Sequence, residues 1–208
     1  MLTSTFGRKL APKAQLLIKM FIQTENTPNP NTVKFLPGKE VMAEGVAEFT
    51  SLEEAACSML AQRLFGLKEV TRVFYGSDFI SITKSEEGDW EAMKTLIMAA
   101  MLDHDMTGMP LFREGMEPNK QTGHSDTGED DELTVQIKEL LDTRVRPMVA
   151  MDGGDIVFDK FEEGIVYLKM RGACAGCPSS TMTLKGGIEN MLRHYVPEVL
   201  EVRQVEDY

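Results

Sequence analysis

The sequence predicts an α+β chain of two small α/β domains joined by a flexible linker. Three observations predict it. Strand-like alternation and helical spacing follow one another through the first half. That patterning is lost over residues 107–131. It resumes from residue 132 with a different element order, which argues for a second packed unit.

The chain has 208 residues, enough for one large domain or two small ones. It is 42% apolar and can bury a core. Its formal net charge of -11 argues against a phosphate-binding surface, because nucleic-acid affinity comes mainly from Lys and Arg. No apolar run approaches the roughly 18 residues that suggest a membrane span. The cysteines are Cys57, Cys174 and Cys177. An odd, sparse set points to a reducing compartment rather than to a secreted disulfide framework.

Residues 1–19 stand apart. They carry Arg8, Lys9, Lys13 and Lys19 and no acid. A basic, Ser/Thr-containing, acid-free start reads equally as a transit peptide or as a disordered leader ahead of Met20.

The first domain is expected over residues 20–106. FIQTEN reads as a short strand and TPNPN as a turn, since Pro fixes φ and Asn tolerates tight turns. TVKFL is a second strand, stopped by Pro37-Gly38. Ser51 and Glu54 have the spacing of a capping box at the head of one helix, SLEEAACSMLAQRLFG. Its apolar positions Leu52, Ala56, Met59, Leu60, Leu64 and Phe65 keep helical spacing, and Gly66 is placed to end it. VTRVFYGSDFISIT reads as a hairpin around Gly76-Ser77-Asp78. Asp89 caps a second helix that ends near Gly108. The order is β-β-α-β-β-α.

Residues 107–131 hold Pro110, Pro118 and four glycines and run into an acidic stretch, which suits a self-repelling linker. Within it, Leu111-Phe112 can dock on the first domain. The second domain, 132–208, opens with a helix whose apolar face is Leu133, Ile137, Leu140, Leu141, Val145 and Met148. Pro147 ends or kinks it. DIVFDKF and IVYLKM pair as strands across Glu162-Glu163-Gly164. Ser179, Ser180 or Thr181 caps the next helix, Pro197 ends it, and VLEVRQV is a last strand. The order is α-β-β-α-β.

Between strand and helix lies RGACAGCPSS. Cys174 leaves the strand and Cys177 precedes the helix N-terminus, a placement that favours thiolate. Ala175-Gly176 leave room for a bulky ligand, and Arg171 and Lys185 add positive charge. A lone C-x-x-C has three readings: a metal or cluster site, a thioredoxin-like dithiol, or an incidental pair. Ligand counting sharpens the first. Iron–sulfur clusters and structural zinc commonly take four ligands. Cys57 lies mid-helix in the other domain and reads as a packed apolar residue. His194 lies far down the following helix. The economical solution is two chains, each bringing Cys174 and Cys177. A cluster shared in that way sits near a surface and suits a carrier.

The stretch from Asp152-Gly153-Gly154-Asp155 through Gly172-x-Cys174-x-x-Cys177-Pro178-Ser179-Ser180 resembles the C-terminal domain of NifU, the Nfu-type iron–sulfur scaffold domain. FIQTENTPNPNTVKFLPG with FYGSDFISITK is similar to the N-terminal domain of two-domain Nfu proteins of mitochondria and their bacterial relatives. The likeness covers roughly residues 20–207. It implies a [4Fe-4S] cluster carried by a homodimer on Cys174 and Cys177, in the mitochondrial matrix or the bacterial cytoplasm. It implies a late-acting scaffold or carrier rather than an enzyme with turnover. The implied recipients are apo iron–sulfur proteins such as lipoyl synthase and respiratory subunits, with other assembly factors as partners. The first domain is expected to position them.

Other features read as structure. The paired glycines 153 and 154 set a bend. Gly186-Gly187 in the last helix calls for close packing against the sheet or a second subunit. Asp103, His104 and Asp105 read as a solvated helix end. No phosphate loop and no Ser/His/Asp set is present. A thiol–disulfide reductase and a zinc-bridged interaction module stand as alternatives for the cysteine pair.

Overall fold

The computed structural model describes residues 21–116, 131–176 and 178–205, except for the side chains of 178–184. The leader, residues 117–130 of the linker, and Cys177 lie outside these residues. Among the described residues no helix is long and apolar enough to cross a membrane.

The first half builds a five-stranded antiparallel sheet in the order β1-β2-β5-β4-β3. Its strands are β1 (Gln23–Asn26), β2 (Thr32–Leu36), β3 (Ala47–Phe49), β4 (Val70–Tyr75) and β5 (Ile80–Lys84). Strand β3 was not expected from the sequence: three residues are too few to show an alternation. Helices α1 (Met59–Phe65) and α2 (Trp90–Thr107) cover one face. Val33, Phe35, Val73, Tyr75, Ile80 and Ile82 point to them, joined by Leu60, Leu64 and Ile97. Leu111 and Phe112 pack on this core as expected, with Phe112 edge-on to Tyr75.

The single helix expected from Ser51 is broken. Glu54–Cys57 forms a turn of 3-10 helix, and α1 starts afresh with Ser58 as its cap. Ser51 Oγ does accept from the Glu54 amide, and the Glu54 carboxylate reaches back to the Thr50 amide. That local cap competes with Ser58, whose hydroxyl accepts from the Ala61 amide and also meets the buried Tyr75 hydroxyl at 3.0 Å. The tertiary contact decides the break. It leaves Leu52 exposed. Gly66 ends α1 in a right-handed conformation. Asp89 and Gly108 bound α2 as expected, the first capping through its carboxylate and the second with φ 64°.

The second half is a three-stranded sheet: β6 (Gly154–Glu162) and β7 (Ile165–Gly172) antiparallel, and β8 (Glu201–Val205) parallel to β7. Glu163 and Gly164 both have positive φ, the mark of a type I′ turn. Helix α3 (Glu132–Leu140), a wide π turn (Leu141–Val145) and α4 (Arg146–Met151) run on without a stop. Pro147 sits in the first turn of α4, so the helix kinks rather than ends. The extra residue in the wide turn carries the buried row from Ile137, Leu141 and Val145 to Val149 and leaves Met148 exposed. Helix α5 (Pro178–Tyr195) begins at a proline suited to a first helical position. Ser179, Ser180 and Thr181 therefore lie inside its first turn.

Candidate functional site

Strand β7 delivers Arg171 and Gly172 to a tight loop, Ala173 to Gly176, that leads to α5. Gly172 and Gly176 have φ of 60° and 74°. Cys174 is buried and belongs to the second domain's core. Its sulfur sits over Gly154: a Cβ there would lie 2.7 Å from Sγ and 2.6 Å from the Arg171 carbonyl oxygen. The second glycine of Asp152-Gly153-Gly154-Asp155 thus makes room for the thiol, beyond setting a bend.

The flanking acids have separate duties. Asp152 ends α4. Asp155, buried, takes both Nε and Nη2 of Arg146 at 2.8 and 2.9 Å. This fork-to-fork pair pins β6 to α4 and raises the Arg146 pKa.

Cys57 lies in the other domain, half-buried against the first core. Burial pushes its thiol pKa up. Among the described residues no group of three or more His, Cys, Asp and Glu gathers to hold a metal. Asp103 and Asp105 are paired with Arg63 and Lys39, and His104 is buried rather than solvated. Cys177 lies outside the described residues; in sequence it stands next to Pro178, the first residue of α5.

The loop is also held from the first domain, which the sequence did not signal. Asn29 Nδ2 donates to the Ala173 carbonyl at 3.3 Å. The Gly172 amide donates to Glu48 Oε1 at 2.8 Å. Ser81 Oγ donates to the Gly153 carbonyl at 2.6 Å, and Lys34 Nζ to that of Met151 at 3.1 Å. Lys34, Glu48 and Ser81 alternate with core residues on their strands and would read as solvent-facing. The one available hint was the unbroken run Val73-Phe74-Tyr75, since an apolar run without alternation marks a strand covered on both faces. Phe74 indeed packs away from the helices, with Phe79, Val46 and Ala150. TPNPN is a turn as expected: the Asn29 carboxamide oxygen accepts from the Asn31 amide.

Arg171 completes the site. It faces Asp155 across the β6–β7 ladder and is buried. Among the described residues its Nε and Nη1 have no hydrogen-bond partner. A cation left so is unusual and suits a site that receives negative charge.

Two family descriptions match the chain. Residues 22–108 match "Scaffold protein Nfu/NifU N terminal" and residues 137–203 match "NifU-like domain". The chain is 51% identical over 189 residues to a Drosophila persimilis protein named "NFU1 iron-sulfur cluster scaffold homolog, mitochondrial". That alignment covers 90% of this chain and 66% of the relative, so the chain spans just under two thirds of its length. The human protein of the same name is 49% identical over 189 residues, covering 90% of this chain and 73% of that protein. "NifU-like protein 4, mitochondrial" of Arabidopsis thaliana is 50% identical over 191 residues, covering 90% and 67%.

Proposed function

The chain belongs to the Nfu family of iron–sulfur scaffold proteins, and on that premise we propose that it carries a labile [4Fe-4S] cluster and hands it to apo-proteins. The cluster is cargo. Cys174 and Cys177 of each of two chains hold it, giving four thiolates around one cluster. The observation that carries this reading is where the third thiol lies. Cys57 is packed on the first core and Cys174 on the second, so a second chain is the simplest source of the missing ligands.

Release is ligand exchange without net oxidation. A recipient thiol gives up its proton and its sulfur bonds to iron. A scaffold cysteine leaves as thiolate and takes a proton. Arg171 supports the loaded state, since a cluster with four thiolates is an anion and a guanidinium near it favours ligation. The implied recipients are radical enzymes of the lipoyl synthase type and respiratory iron–sulfur subunits. The relatives' names support the mitochondrial matrix over the bacterial cytoplasm as its setting.

Anaerobic reconstitution with iron and sulfide tests the reading. The expected product is a dimer with four irons and four sulfides per pair of chains, seen by Mössbauer spectroscopy and native mass. Cys174→Ser and Cys177→Ser should each lose the cluster and the dimer, and Cys57→Ala should keep both. A Cys174→Ser protein that holds a full cluster sinks the ligand assignment. Zinc without sulfide would mean a zinc-bridged module, and a monomer that reduces disulfides would mean a dithiol reductase.

A further inference from the structure

We propose that the first domain is a reversible cover for the cysteine loop, seated on it in the cluster-free chain and displaced when two loops meet around a cluster. The existence of the cover rests on the contact between the domains. Its purpose rests on the cluster-carrying reading above.

The first sheet has two worked faces. Its inner face meets α1 and α2. Its outer face, with Lys34, Glu48, Phe74 and Ser81, meets the second domain at Met151, Gly153 and Gly172, and Asn29 in the turn before β2 reaches Ala173. Each of the four hydrogen bonds described above joins a side chain of the first domain to a main-chain group of the second. The surface therefore reads the backbone of the two glycine motifs, and the glycines permit the approach. A Cβ on Gly153 would lie 2.8 Å from Ser81 Oγ, and one on Gly172 would lie 3.0 Å from the Phe74 ring.

This seat conflicts with a bridged cluster. A second chain must bring its own loop against residues 172–177. Yet Gly172 and Ala173 are held by Glu48 and Asn29, and Cys174 is only 4% exposed. The seat is also easy to leave. Its hydrogen bonds can be exchanged for water at little net loss. Its apolar part is a small cluster around Phe74 and Phe79. Polar contacts between domains of one chain commonly allow such motion.

The test uses the full-length, reduced, cluster-free chain in a Cys57→Ala background. Alkylation of Cys174 by iodoacetamide is timed by peptide mass spectrometry, with small-angle scattering alongside. Ser81→Arg puts a long cation where the Gly153 carbonyl now sits and leaves the inner face alone. Lys34→Glu turns an attraction for the Met151 carbonyl into a repulsion. Both are expected to alkylate about tenfold faster than the parent, as loss of a buried contact of ordinary strength would give, and to show a larger radius of gyration. If Ser81→Arg does not fold by circular dichroism, Lys34→Glu decides. Folded variants that alkylate at the parent rate overturn the cover and leave Cys174 shielded by its own domain. Alkylation needs no cluster, so the two readings fail separately. Faster alkylation in a chain that never takes up iron and sulfide refutes only the carrier. Cluster loading with unchanged alkylation refutes only the cover.

Discussion

Gly154 is the position where one added carbon matters most. Of the two atoms that its Cβ would strike, one is the Cys174 sulfur and the other is the Arg171 carbonyl oxygen at the end of β7, which cannot turn aside. Gly154→Ala should lower stability by about 1–3 kcal/mol, the usual range for overpacking, and should abolish cluster loading at temperatures where the chain is still folded. Urea denaturation and iron content measure the two effects; a variant that loads iron normally would show that the Cys174 sulfur is free to move. Gly186 and Gly187 behave oppositely. The sequence suggested that they pack closely on the sheet, but both are exposed and a Cβ on either meets nothing within 4 Å among the described residues. The helix interior then gains from alanine, and Gly187→Ala should stabilise the cluster-free chain by up to about 1 kcal/mol. If the same variant loses the bridged dimer, the glycines serve the subunit contact, the other role the sequence suggested for them.

Helix boundaries show how local signals are outvoted. Ser51 and Glu54 form the hydrogen bonds of a start signal, yet Ser58 starts the α-helix because its hydroxyl also serves Tyr75. In the second domain the π turn slides the buried row by one residue and exchanges Met148 for Val149. The end of α2 carries a pH response. His104 is buried beside Lys39 and Arg63, and burial first, then these cations, lower its pKa below its ordinary value of 6.5. An imidazole held neutral in the fold takes its proton more readily when unfolded. Stability is therefore complete above pH 6.5 and is lost as pH falls below it. The urea midpoint of the first domain should fall between about pH 7.5 and 5.5, and His104→Gln should remove part of that fall. An unchanged slope in the variant would assign the response to other groups.

The whole chain is two cores and one contact. Each half closes its own apolar cluster, so residues 131–208, which keep Asp131 as the cap of α3, should fold alone. That segment should load a cluster faster than the full chain, because it lacks the cover; reconstitution followed by absorbance would show it. Equal rates would place the barrier to loading within the second domain. The two-domain division, the hairpins, the capped helix α2 and the cysteine loop were all legible, since each is written in neighbouring residues. Strand β3 and the role of Gly154 were not, because one is too short to alternate and the other depends on a sulfur twenty residues away.

The sequence by itself determined most of the elements and, by resemblance, the family, and it singled out the two cysteines on which the proposed chemistry depends. The elements rest on spacing and capping, which act over a few residues; the family rests on the likeness of whole motifs. Only the tertiary structure decided what the outer face of the first sheet does. Lys34, Glu48 and Ser81 are polar residues at alternating positions, and alternation alone assigns them to water. Their partners are main-chain groups more than seventy residues away, and a backbone carbonyl or amide leaves no mark in a sequence.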